Sequence, residues 1–130
     1  MATIRFGNPE GMHSTGGRYS HAALIEGGPA RRLVISGQVG LRPDGSLAEG
    51  GEAQVEQALA NLGTVLRAHG MAPSDVVKVT VFLTDRALIG VWRERRAAFF
   101  NGHVPASTLL VVAGLADPRF LVEVEAEAVQ

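Results

Sequence analysis

The sequence contains no cysteine. This absence excludes disulfide bonds, cysteine nucleophiles and metal sites built on thiolates. An excess of charge is missing as well, because twelve basic and thirteen acidic residues give a net charge of −1. Proteins that bind nucleic acid or an anionic membrane surface carry a basic patch, which a balance of this kind does not indicate. We therefore expect neither partner.

No apolar run approaches the length of a membrane-spanning helix, and residues 1–6 lack the apolar core of a signal peptide. We expect a cytoplasmic protein that does not contact the membrane. The chain has 130 residues, of which 46% are hydrophobic. This length and composition predict one domain over residues 1–130 with a substantial core.

Hydrophobic periodicity predicts strands at 3–6, 19–26, 32–36, 76–83, 104–113 and 120–129, and helices at 51–69 and about 87–101. The order β-β-β-α-β-α-β-β predicts an α+β fold in which both helices cover one face of a mixed sheet. Alternation in the fourth strand places Val77 on the same face as Val79 and Val81. The helix-free face carries apolar side chains beside glutamates, so we expect a homo-oligomer to cover it.

The last two predicted strands are joined by a loop that contains glycine, aspartate and proline, and we expect them to pair. Strict alternation in the final strand places Glu123, Glu125 and Glu127 on one face. Three carboxylates on one face repel one another, so this face must meet water, a cation or a ligand. Another local signal is Gly37, directly after an apolar strand, where a glycine often lets another group approach the backbone.

Several motifs occur together and in a fixed order. They are Ser36-Gly37-Gln38, Pro43-Asp44-Gly45, the run from Asp75 to Asp85, Phe99-Phe100, Pro105-Ala106 and Val122-Glu123-Val124-Glu125-Ala126. Over about residues 17–129 this pattern resembles the Rid family of reactive intermediate deaminases, also called YjgF-type proteins and formerly described as endoribonucleases. Each motif is weak alone, and together they are specific.

The resemblance implies a chorismate-mutase-like fold and a homotrimer with three clefts between subunits. It also implies that no metal or organic cofactor takes part. The typical family reaction is hydrolysis of an enamine or imine to a ketone and ammonia. In that reaction an arginine of a Pro-Ala-Arg-Ser motif holds the substrate carboxylate, and a glutamate on the last strand activates or orients water.

This chain departs from the family pattern at the substrate anchor, because Ser107 occupies the position of the motif arginine. A hydroxyl can hydrogen-bond a ligand, but it cannot supply the paired, charged donors of a guanidinium. Leu109, Arg93 and Arg96 also differ, since many members have cysteine, asparagine and tyrosine there. We therefore expect a divergent member that is not a standard 2-imino acid deaminase.

From the matched family positions, we predict Glu123 as the catalytic residue and Tyr19, Ser36, Arg93 and Ser107 as substrate-binding residues. A carboxylate that is partly desolvated in a cleft can exchange protons with water; the alternative for Glu123 is a solvated sheet residue. Our hypothesis is that Arg93 supplies the charge that Ser107 cannot. The alternative is a solvated basic helix face, to which we assign Arg96.

The four histidines show no metal-ligand spacing, so we expect no metal. The expected function is hydrolytic deamination, or enamine–imine proton transfer, on a small enamine, imine or related carbonyl metabolite in an inter-subunit cleft. The alternative is a trimer that binds a small ligand, or has a regulatory role, without catalysis. Cleavage of RNA would rest only on the older family naming, and the charge balance argues against it.

Overall fold

The computed structural model describes residues 2–130, within which it contains six strands and two α-helices. The strands are β1 Thr3–Gly7, β2 Ala22–Gly27, β3 Ala30–Gln38, β4 Val76–Leu83, β5 Ala106–Val111 and β6 Val122–Val129. The helices are α1 Gly51–Ala68 and α2 Ile89–Phe100. The predicted order β-β-β-α-β-α-β-β is therefore confirmed.

All six strands form one sheet in the order β1-β2-β3-β6-β4-β5. Neighbouring strands are antiparallel except β4 and β5, which are parallel. Helix α2 provides the crossover that a parallel connection requires. The predicted mixed sheet is thus confirmed, and its two central strands are β6 and β3.

The expectation that the last two strands pair is wrong, because β4 lies between β5 and β6. The connection from residue 112 to residue 121 is too long for a tight hairpin turn. It also begins as a continuation of the parallel pairing, with the Val112 N–H donating to the Leu83 carbonyl at 2.8 Å. Both edges of β6 are then bonded to β3 and β4.

The core lies between the sheet and the two helices. Alternate strand residues point into it, among them Leu33, Val81 and Val124, each fully buried. The predicted apolar stripe of α1 packs against them, and Trp92 of α2 is also buried. Burial of each such side chain contributes on the order of 1.5–3 kcal/mol. This packing fixes β6 rigidly, and with it the position of every second residue on the opposite face.

Two local predictions fail for reasons visible in the backbone. Val77 is 46% exposed, because a bulge between Val76 and Lys78 resets the alternation and buries Val76 instead. Strand β2 begins at Ala22 rather than at Tyr19. Just before it, the His21 N–H donates to the Asn8 side chain at 2.9 Å instead of to a neighbouring strand.

The helix-free face carries the three glutamates of β6 next to apolar side chains of β4 and β5. Phe82 lies opposite Glu123 in the register, and Leu110, 42% exposed, lies opposite Phe82. The predicted mixed face is therefore present. Within residues 2–130, neither helix has the length and hydropathy needed to cross a bilayer.

Candidate functional site

The three carboxylates of β6 differ in their surroundings. Glu127 forms an ion pair with Arg32 at 2.7 Å, and Glu125 is exposed. Glu123 is half-buried, and no donor within residues 2–130 is hydrogen-bonded to it. Burial, and secondarily the negative charge of Glu125, raise the pKa of Glu123. A carboxylate of this kind gives and takes protons closer to neutral pH than an ordinary one.

Gly37 allows the Glu123 side chain to lie against the backbone of β3. A Cβ atom added at Gly37 would lie 2.8 Å from the carboxyl carbon of Glu123 and closer still to Oε2. Real Cβ atoms essentially never approach another heavy atom so closely. A bulge between Ile35 and Gln38 shapes the strand at this point. The close approach predicted from the position of Gly37 is confirmed, and the approaching group is the Glu123 carboxyl.

A buried chain of hydrogen bonds supports the bulge. The Gln38 amide donates to Nδ1 of His21 at 3.0 Å and to the Ser36 carbonyl at 3.3 Å. Nε2 of His21 lies 3.0 Å from the His13 carbonyl, to which it donates when Nδ1 accepts from Gln38. His21 and Gln38 are fully buried. Gln38, His21 and His13 therefore stabilise the backbone segment that faces Glu123.

Sequence reasoning did not connect His13 and His21 with this site. The available signal was that His21 and Gln38 are polar residues next to apolar strand segments, where a buried polar group needs a partner. Burial, and then repulsion from His21, lower the pKa of His13. The histidine at position 13 is thus kept neutral in the fold.

Two predicted substrate-binding residues join the same network. The Ser36 hydroxyl donates to the Ser20 carbonyl at 2.6 Å, so its oxygen stays available as an acceptor. Tyr19 is 45% exposed, and its ring meets the edge of the His21 ring with 5.7 Å between the centroids. The chain therefore gathers Tyr19 and Ser36 around the bulge that Glu123 faces.

Ser107 lies on the other side of the sheet from Glu123. It pairs in register with Val79, whose side chain is fully buried under the helices. Its neighbour Thr108 points to the helix-free face, where it accepts a hydrogen bond from Lys78 at 2.6 Å. Since residues paired in register share a face, Ser107 is on the helix side. Ser107 and Glu123 of one chain cannot contact the same small ligand.

Arg93 is also separate from Glu123. It is exposed on α2 and lines a pocket of about 190 Å³ at the end of that helix. The lining residues are Arg93, Arg96, Ala97, Phe100, Gly102, His103 and Val104. Arg96 is half-buried there, which differs from the solvated position that we expected. Within residues 2–130, no group of three or more histidine, aspartate or glutamate residues is arranged to hold a metal ion.

Comparisons with known proteins agree on the kind of protein that this is. The family model described as Endoribonuclease L-PSP matches residues 12–130. The 2-iminobutanoate/2-iminopropanoate deaminase of Mus musculus is 44% identical over 117 residues, which cover 88% of this chain and 82% of the mouse protein.

Solved structures show the same architecture. RidA from the Antarctic bacterium Psychrobacter is similar with a TM-score of 0.84 and 32% identity, covering 95% of this chain and 98% of that one. The YjgF gene product of E. coli is similar with a TM-score of 0.85 and 28% identity, covering 97% and 98%.

Proposed function

Because this chain belongs to the Rid (YjgF) family and has its chorismate-mutase-like α+β fold, we propose that it acts on the C=N group of a small enamine or imine. The reaction is hydrolytic deamination or the related enamine–imine proton transfer. It takes place in a cleft between subunits of a homotrimer. We also propose a cytoplasmic location, which the absence of cysteine fits.

The observation that carries this proposal is the placement of Ser107 and Glu123 on opposite faces of the sheet. One chain supplies the Glu123 carboxyl with Tyr19 and Ser36 nearby, and separately presents Ser107 and Arg93 on its helix side. A cleft that contains both groups needs two copies of the chain. The apolar groups of the helix-free face, Phe82 and Leu110, support such an assembly because they gain by being covered.

The proposed chemistry follows from the state of Glu123. Its carboxylate removes a proton from water while the water oxygen bonds to the carbon of the protonated imine, and the electron pair of the C=N π bond returns to nitrogen. Glu123 then gives its proton to the nitrogen of the resulting carbinolamine, the C–N bond breaks to release ammonia, and the hydroxyl proton passes to water as the ketone forms. A raised pKa suits both steps, because one group must act as a base and then as an acid near neutral pH.

The substrate is proposed to differ from those named for the mammalian relatives. Ser107 cannot provide the charged, paired donors that a guanidinium gives to a 2-imino acid carboxylate. We propose that Arg93 of a neighbouring subunit supplies the positive charge from another position. Hydrolysis of 2-iminobutanoate and 2-iminopropanoate is then slower than that of imines whose anionic group reaches Arg93.

Ammonia release from a panel of imines, generated in situ and compared with the spontaneous rate, tests the proposal. Glu123→Gln should abolish the enzyme-dependent rate. Glu127→Gln is the matched control, because this residue lies on the same strand and face but is held by Arg32. Equal rates for the wild-type protein and Glu123→Gln across the panel would contradict an enzymatic function.

The second candidate function is a trimer that binds a small ligand without turnover, and the serine at the anchor position favours it. This alternative predicts that ligands raise the melting temperature while no ammonia is released. Arg93→Ala tests whether Arg93 is the anchor, whichever of the two functions is correct. If it leaves ligand affinity and turnover unchanged, the proposed anchor is wrong even where Glu123 proves essential.

A further inference from the structure

The pocket at the end of α2 has an unusual electrostatic composition. Arg93 and Arg96 are three residues apart on one helix face, and both line the same space of about 190 Å³. No acidic residue lines this space. Its volume corresponds to roughly six water molecules, at about 30 Å³ each. The space is therefore large enough for a small organic ion.

A third arginine on the same helix shows how the chain neutralises such charges elsewhere. Arg95 forms ion pairs with Glu52 and with Glu56 of α1, the latter at 3.1 Å. Within residues 2–130, neither Arg93 nor Arg96 has a carboxylate within 4.0 Å. Two like charges one turn apart repel each other, and an anion placed between them would relieve this repulsion.

Arg96 is held in place by the pocket wall. Its guanidinium carbon lies 5.6 Å from the centre of the Phe100 ring, a cation–π contact that limits its motion. Its Nε is buried without a hydrogen-bond partner within residues 2–130, and the same is true of Nε of Arg95. His103 also lines the pocket, with Nε2 2.7 Å from the Val76 carbonyl. The two arginines differ in that Arg95 is held by two carboxylates and Arg96 by none within 4.0 Å in the described part of the chain, so an anion in the pocket would supply the partner that Arg96 lacks.

We propose that this pocket binds a doubly charged oxyanion, such as a dicarboxylate or a phosphate monoester, between Arg93 and Arg96. Two guanidinium groups that have no carboxylate within 4.0 Å among the described residues match two negative charges, and their planar donors suit carboxylate and phosphate oxygens. Ala97, Phe100 and Val104 provide an apolar wall for a short carbon chain. The inference deepens the proposed function, because the substrate would then carry anionic charge beyond the group next to its C=N bond.

Binding of inorganic phosphate, succinate and acetate to the full-length protein tests this site without any need for turnover. Isothermal titration calorimetry at constant ionic strength should show one saturable site per chain for succinate or phosphate, and weaker binding of acetate. Arg96→Gln should lower the affinity for the dianions by roughly tenfold, since a charge-assisted contact is lost. Arg95→Gln should not, because the guanidinium at position 95 is occupied by Glu52 and Glu56.

The outcomes separate this inference from the proposed function. If Arg93→Gln/Arg96→Gln binds succinate and phosphate as tightly as the wild-type protein does, the site is wrong. Ammonia release that depends on Glu123 would then still support the proposed function. If dianion binding depends on Arg96 but no imine is hydrolysed, the binding site is supported and the proposed enzymatic function is wrong. Arg96→Lys keeps the positive charge and serves as a second variant in case Arg96→Gln does not fold. Equal affinities for acetate and succinate would contradict the preference for dianions.

Discussion

We expect Gly37→Ala to displace the Glu123 carboxyl while changing the stability of the fold only slightly. The added methyl group would lie 2.8 Å from the Glu123 carboxyl carbon, whereas ordinary contact begins at 3.4 Å. The carboxyl carbon must therefore retreat by about 0.6 Å, and Oε2, which lies closer, by more than 1 Å. Gly37 is not in the left-handed region, so alanine can adopt its backbone conformation.

The two consequences of this substitution differ in size. Only one side chain has to move, although the shift includes Cγ of Glu123, which would lie 2.9 Å from the added methyl group. Alanine is preferred over glycine within a strand by about 0.5–1 kcal/mol, which offsets part of this cost. The free energy of unfolding should therefore change little. Catalysis is more sensitive, because a displacement of about 1 Å can reduce the rate by roughly 10²-fold, equivalent to about 2.7 kcal/mol.

Two measurements check this prediction. The first is kcat/KM for ammonia release from the imine that the wild-type protein hydrolyses fastest. The second is a carboxyl NMR titration of Glu123, whose raised pKa should fall toward its usual range when the carboxyl is pushed into water. Gly7→Ala is the control, since an added Cβ on this strand glycine meets nothing within 4 Å.

The reasoning is refuted if Gly37→Ala keeps both the wild-type kcat/KM and the raised pKa of Glu123. In that case the glycine does not determine where the carboxyl lies. A large fall in the unfolding midpoint would refute it differently, by showing that the Glu123 side chain cannot move aside and that Gly37 serves the fold itself.

Three further predictions concern charge and protonation. Because burial raises the pKa of Glu123, the folded state binds its proton more tightly than the unfolded chain, so the free energy of unfolding should fall as pH rises from about 4.3 through the raised pKa. Glu123→Gln should remove this fall in urea titrations, and an unchanged slope would contradict the burial. Because burial lowers the pKa of His13, the free energy of unfolding should fall as pH drops below about 6.5. His13→Gln should weaken this acid dependence, and a steeper one would argue against the neutral ring. Ser107→Arg should raise kcat/KM for 2-iminopropanoate by roughly 10- to 100-fold, the effect of one charged hydrogen bond; no gain would show that the cleft does not bring position 107 to the substrate.

The fold was predictable because its signals are local. The alternating side chains of β6 and the regularly spaced apolar side chains of α1 each indicate which side of the element is buried. The structure has both elements where the sequence predicts them. The pairing of β5 with β6 was not predictable in the same way. Strand neighbours depend on the whole sheet, and the parallel crossover through α2 places β4 between them.

The site was predictable only in part, for a related reason. The position of Gly37 indicated that something approaches the strand, but periodicity could not say which of three glutamates does so. In the structure, Glu123 is the glutamate that lies against Gly37, next to a bulge that shifts the register of β3 against β6. A strict alternation of residues along a strand cannot predict such a bulge. Likewise, the histidines at positions 13 and 21 lack any ligand spacing. Their connection to Gln38 exists only after β2 and β3 are paired.

The arrangement of charge gives a physical reason to expect an assembly. Glu123 is half-buried in one chain although no donor within residues 2–130 is hydrogen-bonded to it, which is unfavourable for an ionised carboxylate. On the opposite side of the sheet, the guanidinium groups of Arg93 and Arg96 lack carboxylate partners. Neither defect can be corrected within the chain, because the core lies between the two faces. In the proposed trimer, a second copy with its helix side against the Glu123 face would correct both, since it would add positive charge near the carboxylate and leave space for an anionic ligand between them.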